Sequence, residues 1–187
     1  MKKKLLLLSA VFIFSLTMPH IAIAQDNEIA EQTVNVSLGQ VALLAIPAVE
    51  VTLSLSSAAY AGEAVATALS NENTRLRITS LVGTGVTRKV EAQITTGTLP
   101  VGTLLQVEAL AAIQNFIGVA GTSSGVQTLI STGAVAVQTA IGSCNSGTEV
   151  ADGYVLKYTF SEDADPLTSA VAGGAAVTIT YTLVEEV

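Results

Sequence analysis

"AVTITYTL", residues 176–183, alternates without a break: Val177, Ile179, Tyr181 and Leu183 are apolar, and Thr178, Thr180 and Thr182 stand between them. A period of two sends successive side chains to opposite faces of an extended chain, so the stretch reads as a β-strand with one buried face. Burying the four apolar side chains contributes about 2 kcal/mol each, while ordering the backbone of residues 177–183 costs about 1–2 kcal/mol per residue. Such a strand does not hold on its own. It needs neighbours that satisfy its backbone groups and cover its apolar face.

Those neighbours are written in the same rhythm. Tyr154, Leu156, Tyr158 and Phe160 alternate with Val155, Lys157 and Thr159, and Leu76, Ile78 and Ser80 share one parity against Arg75, Arg77 and Thr79, which predicts a cationic outer face. VTRKVEAQI (86–94) and TLLQVEAL (103–110) continue the pattern on either side of the turn-forming GTLPVG (97–102), and two more strands are expected near 126–130 and 134–141 between glycine and serine clusters. Toward the N-terminus, TVNVSL (33–38) reads as a strand, followed by a break at Gly39, a second strand over 41–46 ended by Pro47, and a third carrying Val49, Val51, Leu53 and Leu55. Residues 57–70 are alanine-rich, so helix competes there with a loop around Gly62.

About nine short strands with turn signals roughly every ten residues, and no βαβ rhythm, predict an all-β antiparallel two-sheet sandwich of Ig-like, Greek-key type. A membrane barrel shares the alternation, but aromatics at 4% of the chain are too few for its two interfacial girdles. The expected organisation is one sandwich domain over 33–187 behind a polar, flexible lead-in at 25–32.

Residues 1–24 read differently. Lys2, Lys3 and Lys4 precede an apolar stretch from Leu5 to Leu16, then Pro19 and the small-residue close Ala22-Ile23-Ala24, which is the order of a cleaved secretory signal. A retained anchor is the competing reading, and Pro19 and His20 interrupt the run it would need. No later apolar run is long enough to span a bilayer as a helix. The expected location is therefore outside the cytoplasm.

Cleavage has chemical consequences. Five Lys and Arg remain against fifteen Asp and Glu, hence a net charge of −10, which disfavours nucleic acid and anionic lipid as partners. The chain's one histidine, His20, and both methionines leave with the signal, so imidazole acid/base chemistry and imidazole metal sites are not expected, and no cofactor is. Cys144 is the sole cysteine: either a small buried residue beside a turn or a free thiol for pairing between chains. GTSSG (121–125) meets the spacing of a nucleophile elbow, yet no helical pattern follows and no base histidine exists, so it reads as a turn. Acidic residues at Glu162, Asp163 and Asp165, and at Glu149 and Asp152, match no dedicated calcium loop and read as solvated loops. Paired carboxylates without a stacking cleft argue against a glycosidase, and an enzyme is not expected.

The ending "GGAAVTITYTL" (173–183) resembles that of bacterial pilin and fimbrial adhesin subunits, exported Ig-like sandwiches whose glycine-preceded last strand carries a tyrosine; Gly173 or Gly174 and Tyr181 are the matching positions. This chain departs from them in running on through residues 184–187 and in having one cysteine. The resemblance implies a bacterial cell-surface, extracellular or periplasmic protein, structural or adhesive, that polymerises with itself or with other subunits when a strand from one subunit completes the next. Val34, Val36 and Leu38 are then the side chains such a strand would offer, and Val177, Ile179, Tyr181 and Leu183 form the core face of the terminal strand. The alternatives are a plain closing strand at the C-terminus and a secreted monomeric module that binds glycan or protein.

Overall fold

A computed structural model describes residues 32–47, 50–55, 60–61, 68–112, 115–163 and 173–186. The signal segment, most of the lead-in, most of the alanine-rich 57–70 stretch and Asp165 lie outside the described residues. The described residues form eleven strands, two more than the rhythm suggested, and contain no helix. They are β1 (Val41–Ala45), β2 (Leu69–Leu81), β3 (Thr87–Thr96), β4 (Thr103–Ala112), β5 (Ile117–Gly118), β6 (Thr122–Ser123), β7 (Gln127–Thr128), β8 (Val135–Ile141), β9 (Cys144–Asn145), β10 (Tyr154–Glu162) and β11 (Thr178–Glu186). All described pairings are antiparallel, and they form two sheets packed as a sandwich.

The seven-stranded sheet follows the order β5-β9-β2-β10-β4-β7, with β1 also paired to β2. Thr79 and Ser80 have partners in both β1 and β9, so those two strands flank β2 on opposite edges. The four-stranded sheet runs β11-β3-β8-β6. Side chains of one parity from each sheet meet in the middle: Leu76 and Ile78 from β2, Val107 and Ala109 from β4 and Leu156 from β10 face Val90, Ala92 and Ile94 from β3 and Val137 from β8, all buried.

The long alternating runs became the long strands, because a period of two over seven or more residues leaves one apolar face to bury. Three expectations are corrected. Residues 33–38 form no strand, and Val34, Val36 and Leu38 are 69%, 89% and 83% exposed, so alternation at that place finds no sheet within the described chain. Of the third expected strand, residues 50–55 join no ladder, although Val51 and Leu53 pack against the core; side-chain burial there is achieved without backbone pairing. Over 126–130 the ladder takes in only Gln127 and Thr128, with Leu129 and Ile130 held by single backbone bonds, and Val126 is exposed.

The short strands lace the sandwich together. Chain 117–130 passes from the large sheet (β5) to the small one (β6) and back (β7), and then Ile94 N–H of β3 donates to the Ile130 carbonyl at 3.1 Å while Leu129 N–H donates to Leu105 of β4 at 2.9 Å. Tyr154 hydroxyl and Gln138 Nε2 both donate to the Ala120 carbonyl, tying both sheets to the lace. Gly121 permits the crossing: its φ is +77°, and a Cβ there would sit 2.1 Å from the Thr139 carbonyl oxygen. The chain divides after Ser37 into two units, of which Leu38–Val187 contains every strand found among the described residues. Among the described residues no helix is long and apolar enough to cross a membrane.

Candidate functional site

The terminal strand is where pattern, topology and the expected role coincide. Among the described residues β11 pairs with β3 alone, in a register that sets Ile179 opposite Ile94, Tyr181 opposite Ala92 and Leu183 opposite Val90. Ile179, Tyr181 and Leu183 thereby each lie beside a buried side chain. Val177, just before the strand, and Ile179, Tyr181 and Leu183 within it are half-buried and pack on the core; a register irregularity between Thr178 and Ile179 marks the strand's start. The half-burial follows from position, since β11 ends its sheet and has a neighbour on one side.

Two polar devices hold β11. Tyr181 and Tyr158 hydroxyls lie 2.7 Å apart, joining β11 to β10 of the other sheet. Burial pushes both phenols above their ordinary range, and for Tyr181 the neighbouring Tyr158 adds to the rise. At the other end Glu186 Oε2 accepts from Ala140 N–H at 2.7 Å and from the Thr87 hydroxyl at 3.1 Å. Ala140 has φ +53°, an αL residue in an irregular stretch of β8 that turns its N–H out of the ladder, and Glu186 reaches across β3 to satisfy it. On the solvent face Thr95 and Thr180 hydroxyls meet at 2.8 Å, and Lys89 pairs with Glu91 at 2.8 Å, an exposed contact that raises the lysine's pKa.

Val34, Val36 and Leu38 stand exposed. Val177, Ile179, Tyr181 and Leu183, by contrast, share one face. Cys144 is buried in β9, opposite Ser80, and burial raises its thiol pKa against the opposing effects of a Ser80 backbone bond and Arg88. In GTSSG, Thr122 and Ser123 pair with β8 and Ser123 Oγ accepts from Gly125 N–H at 3.1 Å, which is a turn. Among the described residues no group of His, Cys, Asp and Glu is placed to hold a metal ion.

Sequence reasoning missed two polar side chains that organise the fold. Asp152, expected in a solvated loop, is 2% exposed; its carboxylate accepts from Asn115 Nδ2 at 2.9 Å and from Glu149 N–H at 2.8 Å, closing the excursion between β9 and β10. Arg88 is 7% exposed, bonded to the Val41 carbonyl, Gln40 Oε1 and Ser80 Oγ, with no carboxylate partner among the described residues. Its parity with Val90 and Ala92 was the signal available. Arg75 and Arg77 do lie on the outer face of β2, but half-buried, with guanidinium bonds to the carbonyls of Glu72 and Thr148.

Fold and site together define a class, an all-β protein of two antiparallel sheets with a long strand at one edge. Comparison with protein-family models, with curated proteins and with solved structures finds no match for this chain.

Proposed function

We propose that this chain is an exported, non-enzymatic structural or adhesive protein of a bacterial surface, a subunit that assembles through strand pairing in the manner of fimbrial proteins. The observation that carries the reading is the exposure of an alternating apolar segment: Val34, Val36 and Leu38 stand in water in a stretch that pairs with no strand. Exposed apolar residues scattered singly are ordinary, but three in strand period on an unpaired backbone are the chemistry of a segment that completes another molecule's sheet. The signal-like residues 1–24, the loss of all histidine with them and the glycine-preceded terminal strand support the same reading.

The test is deletion of residues 25–38 in the producing cell, with antibody-labelled electron microscopy of the cell surface. Filaments or surface assemblies should disappear while the purified chain keeps its strand-dominated circular dichroism. Assemblies that form unchanged would remove the segment from the mechanism, and a chain that stays monomeric and binds glycan or protein would make it a secreted binding module.

A further inference from the structure

The edges of the two sheets are not alike. β5 and β7, which end the path through the large sheet, and β6, which ends the small one, are two residues each. β1 has five residues and is followed, after Ile46, by Pro47. Short edges of this kind are how sheet proteins avoid joining one another. β11 is nine residues long, carries no Lys, Arg or Pro, and among the described residues nothing pairs with its outer side.

We infer that β11 is a self-association edge, pairing antiparallel with β11 of a second copy about a two-fold axis through Thr182. This rests on the reading of the chain as one that assembles through strands, but not on residues 33–38. Centring the ladder on Thr182 engages the whole strand from Thr178 to Glu186 and keeps face against face. Tyr181 then lies beside Leu183 of the second copy, so the half-buried apolar rows meet at their centre, with Ile179 beside Glu185 at either end, while on the other face Thr182 meets Thr182 and Thr180 meets Val184. The charges agree with a second copy as occupant. Glu185 and Glu186 are the strand's only ionised groups, and the two-fold sends them to opposite ends; each Glu185 is separated from its mate by about 20 Å of strand, more than twice the Debye length of about 8 Å at physiological salt. A ladder centred on Val184 would bring the carboxylates together and leave half the strand unpaired. Because the chain is acidic overall and this contact is carried by backbone and uncharged side chains, salt should strengthen it by screening the repulsion between copies.

Sedimentation of the purified chain over a range of concentrations and salt tests this. A dimer that tightens with salt is expected, and Thr182→Lys and, separately, Thr180→Lys should each weaken it about tenfold or more, with circular dichroism confirming an intact fold. With Cys144 replaced by serine, Thr182→Cys should crosslink two chains under oxidation and Glu185→Cys should not, because directly opposed strand residues fall within disulfide reach and residues about 20 Å apart do not. A monomer at all concentrations, a dimer indifferent to both lysines, or crosslinking through position 185 in place of 182 would overturn the proposal. Removing residues 33–38 should leave this dimer unchanged, which separates its failure from failure of the donor segment; a dimer lost with that deletion also overturns it.

Discussion

The lace between Asn115 and Gly153 and the terminal strand β11 reach the same sandwich by opposite means. β11 is placed by repetition: every second side chain is apolar, and one register against β3 buries them together. Apart from β8, the lace has two-residue strands and little period, and it is placed by single bonds, from the Tyr154 hydroxyl and Gln138 to the Ala120 carbonyl, from Asn115 and Glu149 to Asp152, and from Ile78 N–H to Ser146 Oγ at 2.8 Å. The difference teaches where each region is vulnerable. Repetition spreads stability over many residues, so no single loss at an edge is decisive, whereas a buried polar stitch fails outright when one partner is removed.

That contrast is breakable. The largest effect is expected at Gly153, whose φ is +98° and where a Cβ would lie 2.3 Å from the Leu76 carbonyl oxygen. Gly153→Ala should cost about 4 kcal/mol or more in urea unfolding, since backbone must move on both β2 and β10. Next, Asp152→Ala leaves the Asn115 amide and the Glu149 N–H without their acceptor and should cost about 3 kcal/mol. Asp152→Asn should cost less, because the amide oxygen still accepts one of the two bonds. If either costs no more than an exposed substitution, the stitches do not hold the lace.

On the side of β11, Tyr181→Phe removes one partner of the Tyr158 contact and should cost about 1 kcal/mol. The same pair sets a pH dependence. Both phenols are raised above the ordinary tyrosine value in the folded chain, so the unfolded chain loses those protons first and stability falls as pH rises above about 10. The contribution is fully present below that point. Thermal unfolding scanned from pH 8 to 11 should show the decline, and the double replacement of Tyr158 and Tyr181 by Phe should flatten it; an equal slope in both proteins would place the alkaline sensitivity elsewhere. The smallest effect is expected at Val36→Ser, within about 0.5 kcal/mol for the single chain because the side chain is 89% exposed. A larger loss there would mean that residues 33–38 belong to the folded unit after all.

The layered β architecture was legible in period-two runs such as 76–80, 103–110, 154–160 and 177–183, because a strand with one buried face cannot hide its alternation and nine residues of it exclude helix. Alternation says that a face is to be covered but not by what, so the identical rhythm at 33–38 and 178–186 leads in one place to an exposed, unpaired segment and in the other to a strand in the sheet. Which edge of which sheet β11 occupies, that β1 and β9 flank β2 on opposite edges, and that Asp152 and Arg88 are buried all depend on contacts between residues tens of positions apart. Local chemistry is silent on those. A buried carboxylate or guanidinium is tolerated where distant backbone groups converge to bond it, and that convergence exists once the two sheets have closed.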